Sequence, residues 1–303
     1  MSQKLTRAGR KLLDAAIQIW EKDPTEKDTA YIARQMVQAT LPHKNPGNIP
    51  VWARTNGNLT LAIQPGVDLR KGKVIGYPYG SIPRLLLFWI TTEAVKSKTR
   101  RVELGHSLTA FMLELGLNPD NGGTGAKRSD ARRLRDQMER LFQSRISFHE
   151  EVEQKDRRSH AWLNMEVAPK GILWWDIRNP HQDTLWGSWI ELGADFFAAI
   201  TSAPVPVDTR ALKFLKRSPL ALDLYAWLTY ESYRAHKSGK ARSVSWGLLH
   251  KQFGADYARL DNFQQAARRA ILKIKHVYPK LKLDTRRGGI CVTPDSLAAI
   301  TPR

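Results

Sequence analysis

At 303 residues the chain is long for a single domain, and 42% hydrophobic residues with ten Trp supply enough apolar surface for buried cores, which excludes a disordered tail. The balance of 48 Lys and Arg against 29 Asp and Glu gives a formal net charge of +19. That excess points to a polyanionic partner whose counterions are released on binding. The single cysteine, Cys291, excludes an intrachain disulfide framework and a cysteine-based metal site. The basic N-terminus lacks the apolar core of a signal peptide, and the most apolar run, Leu85–Ile90, is far short of the roughly 20 residues of a membrane span. A cytoplasmic protein with no membrane partner is expected.

In chain order, Leu13, Ala16, Ile17 and Trp20 recur at helical spacing. Ala33, Met36 and Val37 do so after an acid-rich start at Asp23–Asp28, so a helical hairpin is expected at the N-terminus. Leu59, Leu61 and Ile63 alternate with Thr60 and Ala62 just after Asn56-Gly57, as in a strand leaving a tight turn. Residues 64–81, with four Gly and two Pro, read as loop.

A pattern then occurs twice. Glu93–Gly116 and Glu231–Gly254 share one order and spacing: helix end, basic stretch, strand, short helix closed by glycine. The first copy follows a helix opened by Ser81-Ile82-Pro83 and continues into a loop over 118–125 and a helix from about Lys127 to Phe142. Strands are predicted around Ile146–Val152, Trp162–Val167, Ile172–Ile177 and Leu185–Leu192. Thr201–Asp208, with two prolines, reads as an extended linker. The second copy follows a helix started by Ser218-Pro219 and continues into a helix over Leu260–His276. Leu281–Asp284 and Ile290–Val292 flank Thr285–Gly289 as a hairpin.

Helix, strand, helix, helix, hairpin is the order of a winged helix. The expected class is therefore α+β: two tandem winged-helix domains (80–200 and 209–303) joined by a linker (201–208), with an N-terminal helical extension (1–79). In the Leu260–His276 helix, Phe263, Ala267, Ala270, Ile271 and Ile274 form one apolar stripe. Asn262, Gln265, Arg268 and Arg269 point largely away from it, joined by Lys273. Asn and Gln can pair with adenine and Arg with guanine in the major groove, so these residues are candidate base readers. Arg286 and Arg287 would lie on the wing. In the first module Arg132, Arg133 and Arg140 face outward, with Lys127 and Arg128 at the helix start. There they oppose the macrodipole and favour a phosphate partner. Arg157 and Arg158, in the Lys155–Arg158 tip, would form its wing. Solvated surface pairing is the competing reading, strongest in the first module, where Asp130, Asp136 and Glu139 lie in reach.

No catalytic constellation appears. Gly122–Lys127 does not meet the spacing of a phosphate loop. The eight His are scattered with no His-x-His, against a metal-dependent nickase. No enzyme activity, cofactor or metal is expected.

The strings IPRLLLFWITTEAVKSKTRRVELGHSLTAFMLELG (82–116), ARRLRDQMERLF (131–142) and FLKRSPLALDLYAWLTYESYRAH (214–236) resemble those of the plasmid-encoded RepA replication initiators. The resemblance covers about residues 80–295. It implies a bacterial protein that binds repeated sites (iterons) in double-stranded plasmid origin DNA, helps open the duplex, and recruits the host initiator DnaA and the replicative helicase. It also implies a C-terminal module that binds iteron bases, an N-terminal one that contacts the DNA backbone, and a homodimer that represses its own promoter. The alternative within the same class is a winged-helix transcriptional repressor without origin-opening activity.

Overall fold

The computed structural model describes residues 7–105, 107–119, 129–154, 157–174, 187–254 and 256–301. Helix α1 (Arg7–Glu21) leads through a 3-10 turn (Glu26–Asp28) into strand β1 (Thr29–Ala33) and helix α2 (Arg34–Gln38). Strands β2 (Trp52–Asn56), β3 (Leu59–Gln64), β4 (Val67–Asp68) and β5 (Lys73–Val74) precede helix α3 (Ser81–Ser97). There follow β6 (Arg101–Glu103), α4 (Leu108–Glu114), α5 (Asp130–Phe142), β7 (Arg145–Gln154), β8 (Arg157–Glu166), β9 (Lys170–Ile172), β10 (Trp189–Glu191) and α6 (Ala194–Ser202). The last third holds β11 (Pro204–Asp208), α7 (Thr209–Leu215), α8 (Pro219–Ser238), β12 (Arg242–Ser245), α9 (Trp246–Phe253), α10 (Leu260–Lys275), β13 (Leu283–Thr285) and β14 (Gly289–Val292). The class is α+β.

Two compact units result: a central unit, 33–204, and a terminal unit made of 1–32 and 205–303. Each is built on a helix that is apolar almost all round and therefore buried. In the terminal unit this is α8, with Leu220, Leu222, Leu224, Tyr225, Trp227 and Leu228 inside. Ser218 caps it by accepting from Ala221 N, Pro219 opens it, and Gly239 ends it at φ 63°, where glycine adopts the left-handed turn without strain. Buried Glu231 holds the next strand to it by an ion pair to Arg242, and pairs at 2.9 Å with Arg234 on α8 itself. Then come β12, α9, α10 and the β13–β14 hairpin, in the strand order β12-β14-β13. That is the element and strand order of a winged helix.

The central unit repeats the scheme on α3, β6, α4 and α5. Ser107 caps α4 as Ser245 caps α9, each accepting from the backbone N–H three residues on. The wing strands differ from expectation. β6 pairs with β10, and β10 with β9, again placing the last strand in the middle. The hairpin β7–β8 instead adds to β3 and β2 in a four-stranded antiparallel sheet, β2-β3-β7-β8. Leu61, Ile63, Ile146, Phe148 and Met165 alternate onto its buried face. The hairpin is thus inserted between α5 and the true wing. A local strand signal identifies a strand but not its partner.

Two further expectations change. The N-terminal helical hairpin is a helix, a strand and a five-residue helix. Asp28 accepts from Thr25 N (2.9 Å) and Thr25 Oγ1 (2.7 Å), closing the 3-10 turn, and β-branched Thr29 then starts a strand. The expected linker over 201–208 contains strand β11, which pairs with β1. Prolines are compatible with a two-stranded ribbon, where an edge needs no donor.

Candidate nucleic-acid interface

In the terminal unit, α10 buries Phe263, Ala267, Ala270, Ile271 and Ile274 as expected. Phe263 packs edge-on to Tyr257 (5.7 Å), and His250 Nε2 lies 2.8 Å from Tyr257 O, which fixes the turn between α9 and α10. The opposite stripe at 100° steps carries Asn262, Gln265, Arg269, Leu272 and Lys273, all exposed. Arg269 Nη2 donates to Gln265 Oε1 at 3.1 Å, so the two side chains lie against each other across one turn. Leu272 is 61% exposed in the midst of these polar groups, and Arg259 stands exposed just before the helix. Sequence patterning does not single out these two: a leucine on a helix is ordinarily core, and Arg259 precedes the periodic segment.

Arg268 sits on the flank of this stripe, half-buried. Its Cζ lies 4.8 Å from the centre of the Trp246 ring, and its Nη2 donates to Arg286 O at 3.2 Å. Arg286 and Arg287 are exposed on the wing turn, as expected. Arg286 N donates to Gly289 O (2.8 Å) and Trp246 N to Gly288 O (3.1 Å), tying the wing to the start of α9. Gly289 is required there, because a Cβ would lie 2.1 Å from Val244 O. The expected readers of this unit thus divide: Asn262, Gln265, Arg269, Lys273, Arg286 and Arg287 face solvent, while Arg268 is engaged within the fold.

In the central unit, Ser129 caps α5 by accepting from Arg132 N, and Arg132 and Arg133 are exposed. Arg133 pairs with Asp130 at 3.3 Å. Burial, and then the neighbouring Arg132, lower the pKa of Arg135, a third cation that the patterning does not select. Arg140 is not an outward reader. Its side chain is 17% exposed, paired with Asp136 at 3.0 Å, and donates to Tyr77 O at 3.4 Å beneath Gly76 and Tyr79. Segment 76–79 crosses over that end of α5, which helical periodicity does not reveal. Lys127 and Arg128 lie outside the described residues. Arg157 and Arg158 begin strand β8, their side chains are likewise outside them, and their hairpin belongs to the β2–β3 sheet, not to a wing. The segment that joins β9 to β10 includes residues 175–186, which also lie outside the described residues.

Among the described residues no group of three or more His, Cys, Asp or Glu is placed to hold a metal ion, and no helix is long and apolar enough to cross a membrane. His149 and His160 do meet, rings stacked at 5.5 Å on the β7–β8 hairpin.

A helix-turn-helix with a β-hairpin wing, present in each unit, defines the class of fold. The model of the plasmid-encoded RepA protein family matches residues 77–248, more than half of the chain, and the protein belongs to that family of replication initiators. A crystal structure of domains 2 and 3 of RctB is similar in fold, with a TM-score of 0.50 and 12% identity over 84% of this chain and 95% of that one. A second crystal structure of RctB domains 2-3 gives a TM-score of 0.48 and 13% identity, over 85% and 94%. The comparison with curated proteins found no match.

Proposed function

We propose that this protein is a non-enzymatic plasmid replication initiator that binds repeated origin sites in double-stranded DNA. In this reading it helps open the adjacent duplex and recruits host DnaA and the replicative helicase. The observation that carries the reading is the exposed stripe of α10, where Asn262, Gln265 and Arg269 stand beside the wing cations Arg286 and Arg287. Amide and guanidinium groups on the second helix of a helix-turn-helix suit base edges, and wing arginines suit phosphates. The exposed pair Arg132 and Arg133, with crowded Arg135 behind it, gives the central unit a positive surface that a phosphate would relieve. Two such modules on one chain raise each other's effective concentration at repeated sites. Additional interactions formed only with deformed DNA would drive bending or opening.

Footprinting on the DNA flanking the protein's own gene, at moderate salt with competitor, tests this. Regularly spaced protected repeats with permanganate-reactive A·T steps beside them are expected. A single protected palindrome without melting would point instead to a repressor. Absence of protection would overturn the DNA-binding reading itself.

A further inference from the structure

We propose that Arg268 is a positioning residue that clamps the wing of the terminal unit onto α10, and that it does not read bases. The inference rests on the DNA-binding reading above and assigns one residue within it. Two donors converge on one acceptor. Trp246 Nε1 and Arg268 Nη2 each donate to the carbonyl of Arg286, both at 3.2 Å. The guanidinium also lies over the indole ring, 4.8 Å from its centre. Trp246 itself is 2% exposed, so its ring is a fixed platform. The result is a three-part joint: the start of α9, the middle of α10 and the first residue of the wing turn.

The joint acts where the other ties of the hairpin do not. The bond from Trp246 N to Gly288 O and the β12–β14 ladder hold the wing to α9 and β12. Lys275 Nζ donates to Leu283 O at 3.3 Å, which joins the base of the hairpin to the end of α10. The Arg268–Arg286 bond instead ties the wing turn itself to the part of α10 that carries Gln265 and Arg269. To reach a base, Arg268 would have to abandon both the indole face and the carbonyl. Arg269, one residue on, makes its hydrogen bonds to Gln265 on the same helix and can turn outward without disturbing the wing. A planar guanidinium can stack and donate at once, which a lysine ammonium cannot do in the same geometry. A wing held at a set distance from the reading helix loses less freedom when both engage one DNA site.

The test begins without DNA. Amide hydrogen exchange is measured on the full chain and on Arg268→Ala, Arg268→Gln and Trp246→Phe. In Arg268→Ala, exchange at Arg286 and Trp246 N–H should accelerate roughly tenfold, about what loss of one charge-assisted bond gives. Interior α8 amides should be unchanged. Arg268→Gln keeps an amide donor in place of the cation and should fall between parent and Ala variant, as should Trp246→Phe. Unchanged exchange in Arg268→Ala overturns the clamp whatever the DNA behaviour. Binding is then measured on a specific site and on random DNA. Both affinities should fall by a similar factor, with the discrimination ratio kept and the salt slope shallower. A collapsed ratio with unchanged wing exchange would make Arg268 a base reader. Faster exchange with unaltered binding would leave the clamp standing and overturn the wing's part in DNA binding.

Discussion

Arg84 is 3% exposed inside the central unit, where its guanidinium donates to Leu41 O (2.5 Å), Gly80 O (2.7 Å) and Pro42 O (3.0 Å). One side chain thereby ties Leu41 O and Pro42 O, the latter also accepting from Gly80 N at 3.1 Å, to the start of α3. Arg84→Met fills similar volume but removes all three donations. It should destabilise the central unit by about 1–3 kcal/mol, read as a lower urea midpoint. At the reading face, Arg269→Ala should weaken specific binding by about 1–3 kcal/mol with little change on random DNA. Arg287→Ala should weaken both alike and reduce the salt slope by about 1. Equal losses on the two DNAs for Arg269→Ala would remove it from base contact. In the sequence these arginines look alike. Periodicity separates Arg269 from the core, and the structure agrees. It cannot separate Arg140 or Arg268 from exposed cations, because what diverts them is a carbonyl from a segment distant in sequence, Tyr77 or Arg286.

At the scale of elements, the second winged helix is legible because its signals are local. Ser245 and Gly254 bound α9, Ser218-Pro219 opens α8, and a basic turn joins two short strands. The first is legible as far as α5. Beyond it four strands follow in sequence, and only pairing shows that β9–β10 is the wing and β7–β8 an insertion. The apolar stripe of α1 is also misleading: Leu13, Ile17 and Trp20 are 43–60% exposed, while Ile19 is buried. The two helices α3 and α4 meet near Glu93 and Glu114, the latter accepting from Trp89 Nε1 at 2.7 Å. Burial, and then the charge of Glu114, raise the pKa of Glu93 above its ordinary value. A carboxylate whose pKa is raised in the folded state disfavours folding once ionised. That penalty is complete above the folded-state pKa, shrinks as pH falls through it, and is gone below the unfolded value. Glu93→Gln should therefore be more stable than the parent at neutral pH, with the difference closing under acid. Thermal melts from neutral to mildly acidic pH check this, and a constant offset would assign the gain to packing.

For the whole molecule, the expected boundaries at 79 and 201–208 fall elsewhere. The first 32 residues complete the terminal unit, through the β1–β11 pair, Trp20 Nε1 to His276 O (2.9 Å), Arg210 to Lys22 O (3.0 Å) and Lys280 to Asp23 (3.1 Å). A bond such as that of Trp20, 256 positions from its partner, leaves no trace in composition or periodicity. Deleting residues 1–32 should lower the calorimetric transition of the terminal unit by at least about 5 °C and leave that of the central unit in place. Equal shifts in both would contradict this division.

The β1–β11 pair also means that the central unit is, in chain topology, an insertion between two strands of the terminal one. Its residues are contiguous, so it can fold while the ribosome is still making the rest. The terminal unit must keep its first strand waiting through about 170 further residues of synthesis. A chain released early would carry a finished central unit and no α10. On this account, α10 and its hairpin become competent only after the central unit is complete.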